Sequence, residues 1–175
     1  VVGLAEDMKK NLLKQKYKSY MQPILYASTT LYCGNRGIPG RSGSNDIYKA
    51  SFEINLIERV FSKLPHKIHY KPYFSKRFPG PNIELEMASK INNITINDDE
   101  IDLRYIIGNS RIIITSRATS TIGWCMLSGK PLIYIENEDN RLNKFARKAF
   151  RENLFYFDVR DYDWEKKLLK FLSHP

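Results

Sequence analysis

Cysteine and histidine are scarce in this chain, two of the first and three of the second in 175 residues. Cys33 falls in a loop and Cys125 in a helix, which does not make the dense disulfide framework of a small secreted domain. A reducing compartment, the cytoplasm, is the expected setting. His66 and His69 flank one short strand three residues apart, so they point to opposite faces and cannot chelate one metal as a pair. No metal site is expected. Long apolar runs are missing too: none reaches the roughly 20 residues that a membrane helix requires. The opening VVGLAEDMKK has no charged region followed by an apolar run, as a signal peptide would. A soluble chain is expected. Neither GxGxxG nor GxxxxGK[ST] occurs, which argues against a dinucleotide site and against a P-loop nucleotide hydrolase.

What the chain has is a core and a charge. Hydrophobic residues make up 42%, eleven Tyr and nine Phe among them, and the length suits one domain spanning residues 1–175. Lys and Arg outnumber Asp and Glu by 28 to 19, a formal charge of +9. That balance favours an anionic partner, which could be a nucleotide, a nucleic acid or an acidic membrane surface. The absence of an initiating Met and the opening Val1-Val2-Gly3 read as a piece of a longer protein.

Hydrophobic periodicity divides the chain into alternating elements. A Lys-rich surface helix spans Leu4 to Tyr20, a strand Ile24 to Ala27, and a glycine-rich loop Cys33 to Asn45, with four glycines and two arginines in thirteen residues. A helix capped by Asp46 runs to about Lys63, followed by a strand over Lys67 to Tyr70 and a weak helix over Ile83 to Lys90. Ile94 to Ile96 is a strand, and Asn97-Asp98-Asp99-Glu100 supplies caps for a helix over about Ile101 to Asn109. Arg111 to Thr115 carries three consecutive isoleucines, the pattern of a strand buried on both faces. A helix over Thr121 to Ser128 ends at Gly129. Then follow a strand over Pro131 to Ile135, a helix over Arg141 to Phe150, a strand over Leu154 to Phe157 and a closing helix over Asp163 to Leu172. The expected class is α/β: a Rossmann-like, three-layer α/β/α domain with a mainly parallel sheet.

In such a sheet a ligand sits at the carboxyl ends of the strands. Polar residues crowd there: Ser28, Thr29, Thr30, Arg36 and Arg41 after the first strand, Lys71 and Tyr73 after the second, and Ser116, Arg117, Thr119, Ser120 and Thr121 after the fourth. A loop entering a helix offers unpaired N–H groups and the positive end of the helix dipole, so the last group reads as a phosphate site. The competing account is that Thr119 or Ser120 simply caps the helix. Arg36 and Arg41 could reach anionic groups from a glycine loop that either wraps a ligand or is a plain surface loop. His69 is a weak candidate for a base, a histidine packed beside a sheet being the commoner case. Trp124 reads as core.

The run Ile101 to Glu136, IDLRYIIGNSRIIITSRATSTIGWCMLSGKPLIYIE, resembles the donor-binding, C-terminal half of GT-B glycosyltransferases. It has a short helix, a strand ending in a Ser/Thr-rich turn, and a small helix leading through Ser128-Gly129-Lys130-Pro131 to another strand. The opening Val1-Val2-Gly3, Ile24 to Thr29 and His69-Tyr70-Lys71-Pro72-Tyr73 are similar to CDP-glycerol glycerophosphotransferases and bacterial surface-polysaccharide transferases. The resemblance implies a nucleotide-sugar or CDP-alcohol donor as substrate, no cofactor, no metal, and an N-terminal acceptor domain elsewhere in the full chain. It implies that Thr29, Arg36, Lys71, Ser116, Arg117, Thr119, Ser120 and Thr121 hold the donor phosphates. By itself this half would bind donor but hardly turn it over.

Two positions depart from the pattern. Tyr73 stands where the relatives have the His of a His-Pro pair, so His69 and Tyr73 are weak catalytic candidates. Trp124 or Cys125 occupies the place of an acidic residue for the donor ribose or sugar, a role that Glu136, Glu138 or Asp139 could take; Glu136 is the weak candidate of choice. Nucleotide-sugar 2-epimerases share the Ser-rich loop before a Gly-Lys-Pro but use more carboxylates and histidines. A nucleic-acid-binding module is the rival from another class. Its basic residues, Lys9, Lys10, Lys14, Lys16 and Lys18 among them, are not interleaved with aromatics as in an RNA-binding signature. A solvated helix face explains them as well, as does peripheral contact with the anionic inner face of a membrane.

Overall fold

A computed structural model of the chain describes residues 23–30, 32, 46–73, 82–98 and 100–173. The expected helix over Leu4 to Tyr20 and the glycine-rich loop Cys33 to Asn45, with Arg36 and Arg41, lie outside them.

Six short strands form one sheet: β1 (Ile24–Ala27), β2 (Ile68–Lys71), β3 (Ile94–Ile96), β4 (Ile112–Thr115), β5 (Leu132–Glu136) and β6 (Phe155–Asp158). Every neighbouring pair is parallel and the order is β3-β2-β1-β4-β5-β6. The chain steps outward from β1 to β3, crosses back to β4 and steps outward the other way. Because each parallel crossover is right-handed, reversing the direction of travel moves the connecting helices to the opposite face. Helices α1 (Asp46–Arg59) and α2 (Ile83–Ala88) cover one face. Helices α3 (Leu103–Ile106), α4 (Ser120–Leu127) and α5 (Lys144–Asn153) cover the other, and α6 (Trp164–Ser173) returns to the first.

Strand periodicity divides the core accordingly. Ile24, Tyr26, Ile68, Ile112, Ile114 and Ile133 pack with Phe52, Leu56 and Ile57 of α1 and with Leu168 and Leu172 of α6. Leu25, Ile113 and Leu132 pack with Ile107 and Cys125. The three isoleucines of β4 thus serve both layers, and each is buried. This is the Rossmann-like α/β/α arrangement that the alternation of elements predicts.

Local hydrogen bonding moves some boundaries. The helix expected from Arg141 begins at Lys144, because the Asn143 side chain accepts from the Ala146 N–H at 2.9 Å and so caps it there. The N-cap of α3, the helix before β4, is Asp102, whose carboxylate accepts from the Arg104 N–H at 2.9 Å, rather than Asn97, Asp98 or Glu100. The helix expected to reach Lys63 gives way after Arg59 to a 3₁₀ turn over Phe61–Lys63. Gly129 follows α4 at φ +68°, a left-handed conformation open to glycine at no steric cost.

Candidate functional site

The strand order reverses between β1 and β4, and in open α/β sheets the crevice at that reversal is where ligands bind. Ala27, the last residue of β1, lies in register between Lys71 of β2 and Thr115 of β4. The Thr115 hydroxyl donates to the Ala27 carbonyl at 3.1 Å, pinning the two strand ends together. The backbone continues beyond β1 in strand fashion for one more residue, with the Ser28 N–H donating to the Lys71 carbonyl at 3.0 Å.

Alternation along β1 then sorts the hydroxyls that follow it. Tyr26 belongs to the α1 face, and so does Ser28, whose hydroxyl donates to the Glu53 carboxylate of α1 at 3.0 Å. Thr30 donates to the same carboxylate at 2.7 Å. Thr29 stands between them, and strand alternation turns it toward the opposite face. It is 7% exposed, and its Oγ1 is buried without a hydrogen-bond partner. A buried hydroxyl left unpaired has a cost that a ligand acceptor can remove.

Glu53 is the centre that the sequence reading missed. It is fully buried in α1 and accepts four hydroxyl hydrogen bonds: Tyr26 at 2.9 Å, Ser28 and Thr30 on Oε1, and Tyr70 of β2 at 2.8 Å on Oε2. Burial pushes its pKa up, against the four hydroxyls that favour the ionised form. Burial, with the Glu53 charge next, raises the Tyr26 and Tyr70 phenols far above their ordinary value, so both stay protonated donors. One signal was available in the sequence. Glu53 falls at helical spacing with Leu56, Ile57 and Val60 on an otherwise apolar face.

The turn after β4 divides as well. Ser116 is fully buried, with its hydroxyl 3.5 Å from that of Tyr26 and its carbonyl accepting from Asn137 Nδ2 at 3.2 Å. It therefore joins the Glu53 cluster on the α1 face. Arg117 is paired with Asp139, which is itself nearly buried. Thr119 occupies the N-cap of α4 with extended backbone, φ −104° and ψ −174°, yet its side chain makes no capping hydrogen bond. Thr119 and Ser120 are exposed and Thr121 is half-buried. The helix start carries three hydroxyls, and the expected alternative, side-chain capping by Thr119, does not occur.

Other candidates sit as follows. Lys71 is buried at the end of β2, and its charge is among the causes that hold the Asp102 carboxyl low. Burial works against ionisation of Asp102, but its hydrogen bonds to Arg104 outweigh that. His69 lies two residues before Lys71 on the same face of β2, and burial, then the Lys67 charge, lowers its pKa, so the ring is neutral near pH 7. Tyr73 is exposed beyond the strand. Cys125 is buried and its thiol is pushed up to about 12 by burial, which makes it an inert core residue. Trp124 packs at the edge of the second core layer under the Arg104 guanidinium, 5.1 Å from its ring centroid.

Glu136 is 1% exposed and already engaged. Its carboxylate accepts from Arg147 at 2.6 to 3.1 Å, from the Leu142 N–H at 3.3 Å and from the Tyr156 hydroxyl. Burial opposes its ionisation, but the Arg147 and Tyr156 hydrogen bonds more than offset that and hold its pKa low. Few of its acceptor sites remain for a ribose or sugar hydroxyl. Glu138 pairs with Arg141 and Asp139 with Arg117. Among the described residues no cluster of three or more His, Cys, Asp or Glu side chains is placed to hold a metal ion, and no helix is long and apolar enough to cross a membrane.

The fold is a Rossmann-like α/β domain, with Ser and Thr side chains following β1 and β4 at the point where the strand order reverses. Comparison with protein-family models gives no match, and comparison with curated proteins gives none.

Proposed function

We propose that this domain binds the phosphates of a nucleotide-activated donor, a nucleotide-sugar or CDP-alcohol, as the donor half of a GT-B-type transferase of bacterial surface-polysaccharide synthesis. The observation that carries the reading is the uncapped start of α4, where Thr119, Ser120 and Thr121 lie beside the β1/β4 reversal and Thr29 Oγ1 is buried without a partner. Helix N–H groups and the dipole favour an anion there, and the hydroxyls add donors. In the transfer step these groups would neutralise charge developing on the departing nucleotide phosphate. The acceptor site and the general base would come from an N-terminal domain. Isothermal calorimetry with UDP, CDP, GDP and CMP tests this: saturable binding by at least one supports it, and no heat from any of them refutes it.

A further inference from the structure

Three consecutive residues after β1 divide between two faces of the sheet. Ser28 and Thr30 donate to Glu53 on the α1 side, at 3.0 and 2.7 Å, and the Thr30 N–H also approaches the Ser28 hydroxyl at 3.4 Å. This small closed turn fixes the backbone on either side of Thr29. Because the two flanking hydroxyls are drawn to one face, strand alternation turns the middle residue toward the other, the face that α4 helps to cover. Thr29 is 7% exposed with its Oγ1 unpartnered. Among the described Ser and Thr side chains at these strand ends, Ser28, Thr30 and Thr115 donate to protein acceptors, Ser116 faces Tyr26, Thr119 and Ser120 are open to solvent and Thr121 is half-buried; the Tyr32 and Tyr134 hydroxyls are the other buried ones there without a partner.

We propose that Glu53 is a positioning residue for the ligand site: through Ser28 and Thr30 it holds Thr29 so that the Thr29 hydroxyl donates to the phosphate bound at the start of α4. This rests on the phosphate-binding reading above and deepens it. Glu53 itself never meets the ligand, since its carboxylate is fully buried and carries four hydroxyl donors. A carboxylate oxygen that accepts obliges the hydroxyls around it to point inward as donors. Buried networks of this kind are rigid when every member is satisfied, and rigidity is what a site needs to present one hydroxyl without an entropic cost on binding.

Calorimetry with CDP and UDP on the full chain tests the link. Thr29→Val, which keeps the shape and removes the donor, should weaken binding by about tenfold, the usual effect of losing one hydrogen bond to a charged group. Glu53→Leu should weaken it by a similar factor, and Glu53→Gln, which keeps the shape and one acceptor oxygen, should recover most of the loss. The Glu53→Leu/Thr29→Val double variant should bind no more weakly than Glu53→Leu alone, since a displaced Thr29 has nothing left to lose. Ile133→Val, a core change in β5, measures the effect of lowered stability by itself and should leave the affinity within about twofold. If Glu53→Leu does not fold, Ser28→Ala/Thr30→Val cuts the same link with Glu53 in place and should give the same loss. Wild-type affinity in Glu53→Leu or in the Ser28/Thr30 variant, or fully multiplicative losses in the double variant, would overturn the positioning role while leaving phosphate binding intact. Absence of binding by the wild-type chain would overturn both.

Discussion

Glu53 distributes its load unevenly over two oxygens. Among the described residues Oε1 accepts from Tyr26, Ser28 and Thr30, and Oε2 from Tyr70 alone. Removing the Tyr70 hydroxyl therefore takes away the one donor that the described residues give Oε2, whereas removing that of Tyr26 leaves two donors on its oxygen. Tyr70→Phe should cost about 1.5–3 kcal/mol of stability and Tyr26→Phe clearly less, measured by urea denaturation at neutral pH. The two kinds of carboxylate in this chain also respond to acid in opposite senses. Glu53 has a folded pKa above its unfolded one, so its contribution is unfavourable at neutral pH and is relieved as pH falls through the folded value. Asp158, held low chiefly by its hydrogen bonds to Arg160, contributes stability above its unfolded pKa that is lost as pH falls through the folded one. Asp158→Asn should lower Tm at neutral pH, and thermal melts should converge with wild type in strong acid. The sequence hints at Glu53 by its place on an apolar helix face but does not show its partners. The donors to Glu53 lie 17 to 27 positions away, and an acid at helical spacing reads the same whether it faces hydroxyls or water.

The elements are more legible, because an apolar run such as Ile112 to Ile114 or Ile133 to Ile135 declares a strand wherever it pairs. Their ends are less so. Asp102 and Asn143 set the starts of α3 and α5 through single hydrogen bonds, and several nearby polar residues offered the same chemistry on paper. The helix nearest the proposed ligand, α4, contains one glycine and is followed by another, with opposite consequences. Gly123 lies inside the helix with open space where a Cβ would go, so Gly123→Ala should stabilise by about 0.5–1 kcal/mol. Gly129 also has open space but a φ of +68°, so Gly129→Ala should destabilise by about 1 kcal/mol through backbone strain alone. Chemical denaturation of the two variants side by side checks the pair, and equal signs would contradict the assigned end of α4.

At the scale of the whole molecule, the alternation of strands and helices announces a parallel sheet clad on both faces. The order β3-β2-β1-β4-β5-β6 is not written in any local pattern, since it depends on which strand ends meet across the chain. The order sets the end of β1 beside the end of β4, so the polar residues that follow the two strands start from neighbouring positions. It also engages two of the candidates: Glu136 is drawn into an ion pair with Arg147, and Arg117 is paired with Asp139. The hydroxyls that follow β1 divide: Ser28 and Thr30 are bound to Glu53, and Thr29 Oγ1 is buried without a partner. The most direct test is NMR titration of the isotope-labelled chain with CDP and UDP. Saturable amide shifts centred on Thr29 and on Thr119, Ser120 and Thr121 are predicted; no saturable shifts, or shifts centred away from the β1/β4 reversal, would contradict the account.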